Sequence, residues 1–157
     1  MSDNVYLGNP NLKKANTAIE FTEDNIREFM KCKDDPVYFA KNYVKIISLD
    51  EGLTQFEPYH FQEKLINNFH SNRFNICKMP RQTGKSTTVV SYLLHYAVFN
   101  DSVNIGILAN KAATARELLG RLQTAYENLP KWMQQGIIAW NKGSLELENG
   151  SKILAAS

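Results

Sequence analysis

Apolar residues recur at helical spacing along the chain before about residue 70 and gather into short runs between polar breaks after it. The first twenty residues are mostly polar, with Gly8, Pro10 and several asparagines, and predict an arm or linker (1–20) without regular structure. Thr22 is placed to cap a short helix reaching about Lys33, with Ile26, Phe29 and Met30 on one face. Asp35 followed by Pro36 is a second helix start, a capping carboxylate and then proline at the first helical position. That helix should turn Val37, Ala40, Tyr43 and Val44 inward. Gly52 and Pro58 bracket a loop, and a third helix runs roughly over 59–68 with Phe61, Leu65, Ile66 and Phe69 apolar.

Beyond this point the pattern changes. Phe74 to Met79 reads as a strand, and Ser86 to Phe99 as a helix apolar nearly all round and therefore buried. Val103 to Ala109 is a continuous apolar run of the kind a parallel sheet buries. Thr114 and Glu117 have the spacing of a capping box and open a helix carrying Leu118, Leu119, Leu122, Ala125 and Tyr126, stopped by Pro130. Strand, loop, helix, strand and helix in this order predict a right-handed crossover on a parallel sheet. Ile137–Trp140, Leu145–Leu147 and Ile153–Ala155 read as short strands, with Asn149-Gly150 as a two-residue hairpin turn.

Bulk properties narrow the class only a little. The 157 residues suit one domain with a core, and the net charge of +2 neither argues for nor excludes nucleic-acid binding. Cys32 and Cys77 have neither disulfide-framework number nor metal-ligand spacing, so free thiols in a reducing compartment are expected. The start, Met-Ser-Asp-Asn, has no basic region or apolar run, and Val89 to Phe99 is too short to cross a bilayer. A soluble cytoplasmic protein without a membrane partner is expected. His60, His70 and His95 do not cluster and read as surface or core-edge residues, and Trp132 and Trp140 as packing residues.

The chemistry is concentrated in Met79-Pro80-Arg81-Gln82-Thr83-Gly84-Lys85-Ser86-Thr87. Gly84-Lys85-Ser86 is the closing half of the phosphate-binding pattern G-x-x-x-x-G-K-[ST], whose first glycine falls on Met79. A bare Gly-Lys-[Ser/Thr] arises by chance in about one chain in ten of this length, and is then only a turn opening a helix. Its place between an apolar strand and a buried helix is what the motif requires. Backbone N–H groups and the positive end of the helix would hold ATP phosphates, and Gly84 lets the backbone approach them without a Cβ. Lys85 should reach the β- and γ-phosphates, Ser86 ligate Mg²⁺ and Thr87 touch the α-phosphate. Arg81 is either a solvated loop residue or a guanidinium reaching the γ-phosphate; Gln82 and Thr83 complete the loop, with Gln82 shaping it or touching the γ-phosphate.

Upstream, Tyr59-His60-Phe61-Gln62 places an amide beside an aromatic ring. The amide matches the N6/N7 edge of adenine, and the ring could stack on the base; an ordinary amphipathic helix is the plainer alternative. Some twenty residues before a P-loop, the pair resembles the Q motif of helicase-like ATPases. Lys111, Arg116 and Arg121 form either a solvated helix face or contacts to DNA phosphates.

These residues together suggest a family. The segment Cys32-Lys33-Asp34-Asp35-Pro36-Val37-Tyr38-Phe39-Ala40-Lys41-Asn42-Tyr43 resembles the N-terminal signature of large terminase subunits from tailed bacteriophages. Phe61-Gln62 is similar to their adenine motif, and Arg81 to Thr87 to their variant Walker A, which has arginine here and lacks the first glycine. Gly106 to Lys111 and Trp140 to Ser144 are similar to further terminase segments. The resemblance implies a RecA-like α/β P-loop ATPase with a parallel sheet flanked by helices, an N-terminal helical segment and a hairpin near the C-terminus. It implies an ATP- and Mg²⁺-dependent motor that forms a homo-oligomeric ring and drives double-stranded DNA into a procapsid. The small terminase subunit and the portal protein would be its partners, and the host cytoplasm, transiently at the portal, its location. By the same likeness Lys85 and Arg81 are the catalytic pair, Arg81 coupling hydrolysis to motion, and Gln62 reads adenine.

A Walker B strand ending in Asp-Glu, a coupling motif and an acidic nuclease centre are not found, so residues 21–157 are expected to be the incomplete N-terminal part of the ATPase domain. Glu146 and Glu148 alternate with Leu145 and Leu147, as a solvated face does, and make poor substitutes. Two rival readings are a superfamily 2 helicase-type translocase and a nucleotide-binding chain without hydrolysis.

Overall fold

The computed structural model describes residues 4–157; residues 1–3 of the expected arm lie outside the described residues. Two local signals set the first helices. Thr22 accepts a hydrogen bond from Asn25 N (3.1 Å) and opens α1 (Glu23–Asp34). Asp35 Oδ1 accepts from Val37 N and Tyr38 N (3.0 Å each) and opens α2 (Pro36–Tyr43), an arrangement worth about 1 kcal/mol at an N-cap. Glu28 ties the two helices together by accepting from the hydroxyls of Tyr38 (2.9 Å) and Tyr43 (2.7 Å). The inward face of α1 is Phe29 and Cys32, while Ile26 and Met30 are about half exposed.

Three segments in the first half of the chain depart from the sequence pattern. The N-terminal arm carries a small antiparallel pair, β1 (Val5–Tyr6) and β2 (Asn9–Lys13). Leu12 is buried, Gln134 clasps the backbone of Asn11 and Lys13, and Asn16 N donates to Glu148 (2.7 Å). Gly136 admits this crossing, because a Cβ there would lie 2.5 Å from Ala15 Cα. The expected loop around Gly52 is a hairpin, β3 (Lys45–Ser48) with β4 (Gly52–Gln55), turning where Gly52 takes φ +71. Phe74 to Met79 forms no strand: no ladder neighbour pairs with it among the described residues, and Phe74 and Ile76 are 83% and 100% exposed. A strand is stabilised by its neighbours, so composition alone does not make one.

The helix α3 (His60–Ser71) precedes this extended stretch, and α4 (Lys85–Phe99) follows the loop. One flank of α4 stays open, with Val89 and Tyr96 more than a third exposed, so it is not buried all round. The next units are β5 (Asn104–Leu108) and α5 (Ala112–Glu127). No capping box forms at Thr114 and Glu117: the helix begins earlier, with Lys111 at its N-cap, and Glu117 instead pairs with Arg121 (2.7 Å).

The last three strands are β6 (Ile137–Trp140), β7 (Ser144–Leu147) and β8 (Lys152–Ala156). They form one sheet with β5, in the order β5-β8-β7-β6. Only β5 and β8 run parallel; β8-β7 and β7-β6 are antiparallel, so the sheet is mixed, not the parallel sheet expected. Ile105, Ile107, Leu145, Leu147 and Ile153 form its buried face, while Leu108 and Leu154 stay exposed on the other. In the β7–β8 turn only Gly150 has positive φ. Asn149 instead turns its amide to Ala97 O (2.9 Å) and Asn100 O (3.2 Å), satisfying carbonyls at the end of α4.

Three interactions seat α4. Its C-terminal half packs Phe99 edge-on against Phe29 and Phe39. His95, only 2% exposed, lies at hydrogen-bond distance from Cys32 O (2.8 Å) with Nε2, while its Nδ1 has no partner. Burial holds this imidazole at a pKa of about 4, below the ordinary 6.5, against the smaller opposing effect of the Cys32 carbonyl. The histidine read as a core-edge residue is therefore a core residue.

Candidate functional site

The chain between the extended stretch and α4 makes one tight loop, Pro80–Gly84, whose conformation follows from two residues with positive φ. Gln82 takes φ +60 and Gly84 φ +72. The left-handed region is uncommon for a residue with a Cβ and ordinary for glycine. Gly84 is also the N-cap of α4, and a Cβ there would lie 2.4 Å from Gln62 Nε2. The left-handed backbone therefore favours glycine here, and a Cβ would also push the Gln62 amide aside.

The loop is closed by its own polar groups. Thr83 Oγ1 donates to Pro80 O (3.0 Å), and Thr88 donates to Gly84 O from both its N–H (3.0 Å) and its hydroxyl (2.8 Å). Lys85 Nζ curls back to donate to Met79 O (2.9 Å) and Pro80 O (2.6 Å). A carbonyl pair is a weak counterpart for an ammonium, and no carboxylate pairs with Lys85 among the described residues.

The first turn of α4 holds no acidic residue, and its leading N–H groups have no intrahelical acceptor. Positive helix end, ammonium and glycine cradle converge, a donor set that fits a polyphosphate anion. Ser86 is exposed and offers a single hydroxyl oxygen. One oxygen fits Mg²⁺ only if phosphate and water fill the remaining positions. Thr87 is half-buried and faces a cavity of about 760 Å³ walled by Val44, Ile46, Ile47, Leu49 and Val90. Arg81 is exposed and makes no hydrogen bond or ion pair among the described residues.

The upstream pair is split by the structure. Gln62 is buried, at 4% exposure, and its amide is spent within the protein. Its Oε1 accepts from Tyr59 N (2.8 Å), closing the first turn of α3, and its Nε2 donates to Thr83 O (3.3 Å). Phe61 is on the surface, stacked on Tyr59 with centroids 5.8 Å apart and planes 11° apart. The structure thus brings Gln62, Thr83, Gly84 and Lys85 together and leaves Phe61, Arg81 and Ser86 at the surface. Thr88 escaped the sequence reading, and Tyr59 entered it only as the first residue of the upstream tetrapeptide. The Thr88 back-bond to Gly84 was visible in principle, four residues along a helix, whereas the Gln62 contact spans 21 residues and has no local signature.

A family model described as terminase large subunit, T4likevirus-type, N-terminal, matches residues 76–157, just over half of the chain. The match begins in the extended stretch and takes in the loop, α4, β5, α5 and the three closing strands.

Proposed function

The chain belongs to the T4-type terminase large-subunit family, and on that premise we propose that it is the ATP-gripping part of a DNA-packaging motor. The observation that carries this reading is the Gly84-Lys85-Ser86 turn at the head of a 15-residue helix, with Lys85 held only by two carbonyls. A triphosphate offers Lys85 a stronger, charged acceptor, so its ammonium would leave Met79 O and Pro80 O for phosphate oxygens. The amides of α4's first turn would hold the β-phosphate, and Ser86 would supply one oxygen to Mg²⁺. The bound metal would spread phosphate charge. Thr87 would lie nearest the α-phosphate, and Gln82 and Thr83 would shape the rim. Arg81, exposed and unpaired among the described residues, would stabilise γ-phosphate charge and couple its loss to motion.

No group of three or more His, Cys, Asp or Glu with metal-holding geometry occurs among the described residues. Lys85 forms no ion pair with a carboxylate among the described residues. We read these 157 residues as binding ATP with little or no hydrolysis of their own, because the loop from Met79 to Thr87 carries no carboxylate to orient water. The assembled motor would be a homo-oligomeric ring acting on double-stranded DNA with a small terminase subunit and the portal protein. It would work in the host cytoplasm, transiently at the procapsid portal. No helix among the described residues is long and apolar enough to cross a membrane. Calorimetric ATP titration of the chain and its Lys85→Ala variant tests the reading, and equal affinities would sink it.

A further inference from the structure

We propose that Gln62 is a positioning residue of the phosphate loop, and that it does not read the base; this rests on the loop binding polyphosphate. A primary amide has one oxygen acceptor and two N–H donors. Reading an adenine edge takes one acceptor and one donor presented side by side. In Gln62 the oxygen closes the first turn of α3 at Tyr59 N (2.8 Å), and the nitrogen bonds Thr83 O (3.3 Å). The side chain is 4% exposed, so no edge of the amide is turned outward to a base.

The same nitrogen occupies the space that a Cβ on residue 84 would take, 2.4 Å from that position. Gln62 therefore braces the two residues immediately before Lys85. It holds the Thr83 carbonyl and backs the left-handed turn at Gly84, the residue from which α4 begins. Gln62 also joins the loop to the start of α3, where Tyr59 and Phe61 stack on the surface. The aromatic pair and the phosphate loop thus share one mount.

The test compares ATP and GTP, which differ in their base, with inorganic tripolyphosphate, which has none, titrated by calorimetry into the full chain and two variants. Gln62→Glu keeps an oxygen for Tyr59 N and removes the donor to Thr83, so it leaves the α3 cap in place. Gln62→Ala removes both. Positioning predicts that either variant weakens all three ligands by a similar factor, about tenfold, with the ATP-to-GTP ratio unchanged. Loss confined to ATP, or no loss for any ligand, would overturn the proposal.

A second readout needs no ligand. In ¹⁵N-labelled chain, Gln62→Glu should shift the backbone amides of Thr83, Gly84 and Lys85 while those of β8 stay in place. Gly84→Ala should lower Tm less in a Gln62→Ala background than in the wild type, because the clash with the Gln62 amide is gone and only the strain of the left-handed backbone remains. Unshifted loop amides with additive Tm losses would refute the brace even if the wild type bound neither ATP nor tripolyphosphate. Absence of binding by the wild type, with shifted amides and non-additive losses, would instead refute the phosphate-binding reading.

Discussion

Acid should loosen the seat of α4 before it titrates most carboxylates, through one histidine. His95 Nε2 faces the Cys32 carbonyl, which fixes the proton on that nitrogen and leaves Nδ1 as a bare buried acceptor among Phe39, Phe99 and Tyr92. A second proton on Nδ1 would bring an uncompensated charge and a donor without a partner. The folded-state pKa is about 4 against 6.5 for the unfolded chain. Because the folded value is depressed, the unfolded state binds more protons between the two, and stability falls as pH drops through that window. The gap of about 2.5 units, at about 1.4 kcal/mol each, sets a ceiling of about 3.4 kcal/mol, about three-quarters of it lost by about pH 4.5. That is a large share of a typical domain's 5–15 kcal/mol.

Urea unfolding followed by tryptophan fluorescence, at steps from about pH 7.5 to 4.5, measures it. His95→Gln, which keeps an N–H for Cys32 O and cannot titrate, gives the reference. Glu28 also has a lowered pKa, through the Tyr43 and Tyr38 hydroxyls, and its contribution is lost only as pH falls below the ordinary carboxylate value of about 4.5. The two windows therefore separate. We predict that the wild type loses about 2.5 kcal/mol relative to His95→Gln between about pH 7 and 4.5. A constant difference across that range would refute the burial argument.

Two further predictions follow from the docked arm and the loop. Gln134→Ala removes a buried amide that accepts from Lys13 N (3.0 Å) and donates to Asn11 O (2.9 Å) and Leu129 O (3.0 Å). It should cost about 2–3 kcal/mol and expose residues 4–20 to protease, and an unchanged cleavage pattern would count against the clasp. Arg81→Ala should leave ATP affinity within about threefold while lowering turnover at least about tenfold in a packaging-competent terminase carrying this segment, measured by phosphate release. An equal loss of binding would remove Arg81 from coupling.

What the sequence disclosed was the part that local chemistry decides. Asp35-Pro36 and Thr22 make their caps within three residues, so both helix starts were legible. The loop motif was legible because Gly84, Lys85 and Ser86 are adjacent. Non-local contacts were not legible. Leu12 is buried in an arm held by Gln134 and Glu148, more than a hundred residues away, and nothing in the polar arm announces them. Phe74 to Met79 has strand composition and no ladder among the described residues, which periodicity cannot foresee. Asn149-Gly150 is a turn as the sequence implies, but only Gly150 takes positive φ, and the Asn149 amide serves the end of α4, a contact without a local signature. Gln62 was found by its spacing from the loop, and only its hydrogen bonds show that the amide faces the loop and not the solvent.

The central claim is that the turn at Gly84-Lys85-Ser86 grips a triphosphate through the Lys85 ammonium. Isothermal titration of ATP with Mg²⁺ into the chain, side by side with Lys85→Ala, tests it most directly. The account predicts saturable one-to-one binding by the wild type and at least about a tenfold weaker Kd, or about 1.4 kcal/mol, for the variant, with both folded by circular dichroism. A wild type that takes up no heat-detectable ATP, or a variant that binds as tightly, would contradict it.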